Sequence, residues 1–106
     1  MTLDELIQRQ RDFAAARDWE GFHTPKNLVM ALSGEVGELS ALFQWLTPDE
    51  AVACLDDPDL AANVRDEIAD VTLYLIRLAD VLGIDLIAAA RTKIDRNEHR
   101  FPPLHS

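Results

Sequence analysis

Two pairs of carboxylates constrain this chain more than any other feature. Glu35-x-x-Glu38 and Glu67-x-x-Asp70 repeat one spacing, the first pair alone in an uncharged stretch and the second followed by one. From 27 to 48 the only charged residues are Glu35 and Glu38, and between Glu67 and Arg77 the only charge is Asp70. At this spacing two side chains lie about 60° apart around a helix, on one face and one turn apart. Neither Glu35 nor Glu38 has a Lys or Arg three or four positions away to neutralise it along the helix. Ionised carboxylates in apolar surroundings are costly unless a cation meets them. The stretch reads as a largely buried helix that requires a positive charge from elsewhere.

Helical periodicity runs through the rest of the chain. Thr2 and Glu5 form a capping box, and Leu3, Leu6, Ile7, Phe13 and Ala14 continue a first amphipathic helix to about Arg17. A loop with Trp19, Phe22 and His23 follows, ended by Pro25. These aromatics serve either as a contact surface or as a plug for the end of a bundle. The second helix is expected from about Lys26 to Leu46. Trp45 then falls on the same stripe as the acidic pair. Gly34 and Gly37 each weaken that helix by about 1 kcal/mol, which implies close packing or close approach of a ligand. Thr47-Pro48-Asp49-Glu50 is a second capping box opening a short helical segment. A third long helix runs from about Pro58 to Leu82, with Tyr74 one turn beyond Asp70 and Gly83 as its stop. Asp85 caps a fourth helix to roughly Glu98, with Lys93, Asn97 and Arg100 on one stripe. Pro102 and Pro103 make 98–106 an extended tail. No strand signal is present, so the predicted fold is an all-α, four-helix-bundle type in one domain, 1–106.

Composition narrows the partners. The 106 residues carry a net charge of −9, with a pI near 4.5, which disfavours polymeric nucleic acid and anionic membranes. A phosphorylated small molecule is compatible if a divalent metal reverses the local field. Cys54 is the single cysteine, so no intrachain disulfide forms and a reducing, cytoplasmic location is expected. The N-terminus has Asp4 and Glu5 where a signal peptide would be basic and then apolar. A chain this short has a limited core, and a second copy would help to cover its apolar faces.

If the two acidic helices are neighbours, four carboxylates converge, and their repulsion opposes folding without a counter-ion. All-oxygen ligation favours Mg²⁺ or Mn²⁺. A di-iron bundle would place His at the second position of each pair, and His23, His99 and His105 all lie outside the motifs. A hard metal points to phosphate chemistry. Lys93 and Arg100 can meet phosphate charge or simply complement a helix dipole. Trp19, Trp45 and Tyr74 can stack on a base or fill the core.

At these residues the sequence resembles the MazG-like all-α nucleoside triphosphate pyrophosphohydrolases, and within them the dCTP pyrophosphatase branch. The matching pieces are Phe13-Ala14-Ala15 with Arg17-Asp18-Trp19, then Phe22-His23-x-Pro25-x-Asn27-Leu28. Glu35-Val36-Gly37-Glu38-Leu39 with Phe43-Gln44-Trp45 follows. Asp66-Glu67-Ile68-Ala69-Asp70-Val71 with Tyr74-Leu75, and Lys93 to Pro102, complete the match. The resemblance implies a Mg²⁺-dependent hydrolase that splits a nucleoside triphosphate, dCTP or a 5-modified dCTP, into monophosphate and pyrophosphate in nucleotide-pool sanitation. It implies Glu35, Glu38, Glu67 and Asp70 as catalytic metal ligands. Lys93, Asn97 and Arg100 would hold phosphate or sugar, and Trp19, His23, Trp45 and Tyr74 would line a base pocket. It further implies a homodimer or homotetramer. A nucleotide- or metal-sensing module without turnover is the alternative that the residues themselves leave open.

Overall fold

The structure, a computed structural model, describes residues 1–104; His105 and the end of the expected tail lie outside the described residues. The all-α expectation holds. Five α-helices follow one another: α1 (Leu3–Ala16), α2 (Pro25–Phe43), α3 (Pro48–Val52), α4 (Pro58–Val81) and α5 (Leu86–Arg100). Single 3₁₀ turns at Glu20–Phe22 and Cys54–Asp56 lie in the connections.

Local chemistry sets the ends. Thr24, Thr47, Asp57 and Asp85 each turn a side-chain oxygen onto the first free amides of α2, α3, α4 and α5. Each such cap contributes about 1 kcal/mol. Thr47 and Glu50 complete a reciprocal capping box, whereas Thr2 takes only the Glu5 amide, at 3.1 Å. Gly83 adopts φ +71, and the amides of Gly83 and Ile84 close onto Asp80 and Ala79 in a Schellman motif. Asp18 plays the same part after α1 at φ 55, with Trp19 N–H bonded to Ala14 C=O at 2.9 Å.

Two helix boundaries differ from expectation. α2 stops at Phe43, three residues early, and Trp45 leaves the carboxylate stripe. The cause is Pro48 with its capping threonine: the chain must already be extended at Thr47 to start α3. α5 continues through Arg100, so the extended tail begins after that residue, where Pro102 blocks further helix.

α2 and α4 form the principal helix pair, and α1 lies against α4. The core is small: Ala14, Leu28, Ala61, Val64, Ile76 and Ala79. The expectation of a largely buried α2 is corrected. Leu28 is its one buried residue, and Val36 is 44% exposed. A Cβ added at Gly34 or Gly37 would meet no atom within 4 Å, so neither glycine packs against another helix of the same chain. α5 buries no residue. The radius of gyration is 17.1 Å. A compact domain of this length has about 13 Å. The accessible surface is 8193 Å². A compact monomer of this mass exposes about 6,000 Å².

Candidate active site

Because α2 and α4 pack side by side, the acidic motifs face one another. Glu35, Glu38 and Glu67 each offer an oxygen, all within 4.8 Å of one another. Glu35 and Glu67 are half-buried and Glu38 is exposed. The Oε2 atoms of Glu35 and Glu67 are sealed from solvent and have no hydrogen-bond partner. A buried acceptor left unpaired costs about 1–3 kcal/mol, more when charged. The Glu67 carboxyl is pushed up to about 7, first by the facing Glu35 carboxylate, then by burial, then by Glu38. Three carboxylates this close resist ionising together unless a cation joins them. Orphaned, all-oxygen donors of this kind fit a hard divalent ion.

Asp70 does not join that group of three. It sits one turn further along α4 and lines a cavity of about 520 Å³. That cavity is closed by Phe13 and Gln10 from α1, Leu28 from α2, and Leu73, Tyr74 and Arg77 from α4, with Trp19 and His23 from the connecting loop. A smaller space of about 350 Å³ adjoins it, sharing Trp19, His23, Leu28 and Tyr74 and adding Phe22 and Asn27. The size and the mostly apolar lining suit a small organic ligand. Trp19 meets Phe13 edge to face at 5.6 Å and His23 at 6.4 Å. Asn27 donates to the Phe22 carbonyl at 3.0 Å, tying the aromatic loop to the start of α2.

Trp19, His23, Asp70 and Tyr74 are therefore brought together, separately from Glu35, Glu38 and Glu67. Trp45, Lys93, Asn97 and Arg100 line neither cavity. Trp45 is 86% exposed, and Arg100 lies over its neighbour Phe101 at 5.1 Å.

Sequence reasoning missed a set of charged residues behind the cavity. Arg77 is buried, donates Nε–H to His23 Nδ1 at 3.1 Å, and pairs with Asp80 at 3.2 Å. Asp80 also receives both arms of Arg11, from α1. Arg11, then burial in the opposite sense, then Arg77 act on Asp80, and the net effect holds its carboxyl below the usual range. Gln10 adds a cross-link, donating to the Leu73 carbonyl at 2.9 Å. The missed signal was the placement of Arg77 and Asp80 inside the apolar run of α4, three residues apart.

Comparison with known proteins assigns the class. No family model matches the chain. A crystal structure of a pyrophosphatase from Archaeoglobus fulgidus superposes with a TM-score of 0.87 at 40% identity, covering 94% of this chain and 92% of that one. With the carboxylate motifs in place on two packed helices, the chain belongs to the MazG-like all-α nucleoside triphosphate pyrophosphohydrolases.

Within that class the similarity extends to proteins named dCTP pyrophosphatase 1. The human protein is 45% identical over 101 residues and the bovine protein 43% identical. Those 101 residues are 95% of this chain but only 59% of the human protein, so the chain spans about three-fifths of these relatives.

Proposed function

We propose that this chain hydrolyses a nucleoside triphosphate, dCTP or a 5-modified dCTP, to the monophosphate and pyrophosphate with a divalent ion, Mg²⁺ or Mn²⁺. The observation that carries this reading is the convergence of Glu35, Glu38 and Glu67, with two sealed oxygens lacking partners, one helical turn from a base-sized cavity. Asp70 follows Glu67 by three residues, about 4.5 Å along the helix axis. A base in the cavity and its phosphates at the carboxylates are thus within reach of one nucleotide.

Glu35, Glu38 and Glu67 would hold the ion, with Asp70 facing it from the cavity side. When bound, the ion supplies charge neutralisation for phosphate oxygens and acidifies a water. The chain's own residues bind and orient. Trp19 and Tyr74 present flat faces to the base. His23 offers a polar edge. The raised pKa of Glu67 belongs to the cluster without an ion, where Glu35 and Glu38 crowd it; with an ion held there Glu67 would serve as an ionised oxygen ligand. Names of relatives support dCTP as substrate, and removal of surplus or modified deoxynucleotides would be the cellular role.

The chain as a single copy leaves this site open. Trp45, Lys93, Asn97 and Arg100 line neither cavity, and the accessible surface exceeds that of a compact monomer by about 2,000 Å². We infer that a homodimer or homotetramer covers the exposed faces of α2, α4 and α5 and brings α5 cations of one copy to the site of another. A standard interface buries about 800 Å² on each partner, so the excess on one copy is more than two such interfaces would cover.

The test is a panel of canonical and 5-modified deoxynucleoside triphosphates incubated with Mg²⁺, with products identified. Release of pyrophosphate and dCMP is expected. Nucleotide binding without product would replace the hydrolase by a sensing module. Sedimentation as a monomer at micromolar concentration would remove the assembly.

A further inference from the structure

The Arg11–Asp80–Arg77–His23 chain takes no part in the carboxylate cluster, and only Arg77 and His23 of it line the cavity. It nevertheless buries a guanidinium in the cavity wall. Burying such a group costs several kcal/mol unless it is paired and hydrogen-bonded. Asp80 supplies the pairing, and Arg11 holds Asp80 from the other helix with a two-point grip. Of the remaining Arg77 donors, the Nε–H goes to His23 Nδ1 at 3.1 Å.

A guanidinium has donors only and does not lose its proton. The nitrogen it meets must carry a lone pair. The imidazole proton is therefore on Nε2, and a second proton on Nδ1 would face a cation at hydrogen-bond distance. Burial first, and then the Arg77 charge, hold the His23 pKa below its ordinary value. The other charged groups lining the same cavity are Arg9 on α1 and Asp70 on α4. Nε2 has no partner among the described residues and is not sealed from solvent, and His23 borders both cavities.

We propose that Arg77 is a positioning residue that locks His23 as the neutral Nε2–H tautomer, so that the pocket offers the base a fixed hydrogen-bond donor. The ligand atom that answers it carries a lone pair, a ring carbonyl or an unprotonated ring nitrogen; an amino group at that position is rejected. A site built to hydrogen-bond one such group discriminates strongly against a ligand that leaves it unpaired. The inference rests on the nucleotide reading of the cavity.

The experiment is ¹⁵N-histidine labelling with long-range ¹H–¹⁵N spectra of the free protein at neutral pH, assigned with His23→Asn. Wild type is expected to show His23 in one neutral form with Nδ1 unprotonated. In Arg77→Met both tautomers should be populated, with protonation returning toward the ordinary histidine range. KM for dCTP should rise about tenfold, the equivalent of one lost hydrogen bond, with a smaller change in kcat. Arg77→Lys keeps a cation and the aliphatic stem but not the fixed planar fork. It should lose the locked form as well, and it serves if the Met variant does not fold. A proton on Nδ1 in wild type, or an identical locked His23 in a folded Arg77 variant, overturns the proposal. Absence of any nucleotide turnover in wild type would sink the hydrolase reading and leave the tautomer result standing.

Discussion

Two groups of charges lie on the same pair of long helices' surroundings and are treated in opposite ways. At Arg11, Asp80, Arg77 and His23 every charge has its partner inside the chain, and the Asp80 carboxyl is held down. At Glu35, Glu38 and Glu67 like charges are pressed together, two oxygens have no partner, and the Glu67 carboxyl is pushed up. The first group is finished by folding. The second is left unpaired by folding. This contrast supports the proposed cation site at the second group.

The largest effect should come from the unfinished group. Glu38→Ala removes one oxygen ligand at the exposed corner of the cluster, and turnover with Mg²⁺ should fall at least 100-fold in a protein that still folds. Steady-state pyrophosphate release measures it, and full activity in the folded variant would detach the cluster from catalysis. The finished group should respond in stability instead. Asp80→Ala leaves Arg77 buried and unpaired, and unfolding free energy should drop by about 3–5 kcal/mol in denaturant titration. Arg11→Ala should cost only about 1 kcal/mol or less, because the Arg11 side chain is 54% exposed against 10% for Asp80. Equal losses from the two substitutions would mean that Arg77 does not depend on Asp80.

The two groups should also separate by pH. Glu67 has a folded pKa of about 7 against an ordinary 4.5. Its raised pKa stabilises the fold fully below about pH 4.5, and that contribution is lost as pH rises through about 7. The melting temperature of the metal-free protein should therefore fall over this interval, and Glu67→Gln should flatten the slope. Metal competes with the same proton, so Mg²⁺ affinity should rise across the same range. A metal-free melting temperature that climbs from pH 5 to 7 in wild type, and equally in Glu67→Gln, would contradict the assignment. The smallest effect lies outside both groups. Asp18 holds a left-handed backbone at φ 55, and Asp18→Gly should stabilise by up to about 1 kcal/mol.

Legibility in the sequence followed the range of the interactions. Capping residues, the helix periods, Gly83 and the acidic pairs act over three or four residues and could be read directly. Even there, Trp45 was misplaced, because the demands of Thr47 and Pro48 on the preceding chain outweighed an apolar stripe. The meeting of Glu35 with Glu67 was inferable from repulsion that needed an answer. The Arg77–His23 contact, 54 positions apart, was not: the apolar run around Arg77 hints at burial, but nothing local names a partner in a distant loop. The division of the site into three carboxylates and a separate cavity with Asp70 depends on how α2 and α4 cross, which periodicity does not specify. The exposure of Gly34 and Gly37 likewise follows from which face of α2 meets α4.

Most direct for the central claim is a Mg²⁺ titration followed by thermal melting at pH 8, in wild type and in the double variant Glu35→Gln, Glu67→Gln. Ligand binding to the folded state alone raises the melting temperature with concentration. The account predicts a concentration-dependent rise in wild type and none in the double variant, whose metal-free form should already melt higher. An unresponsive wild type, or an equal rise in both proteins, would contradict it.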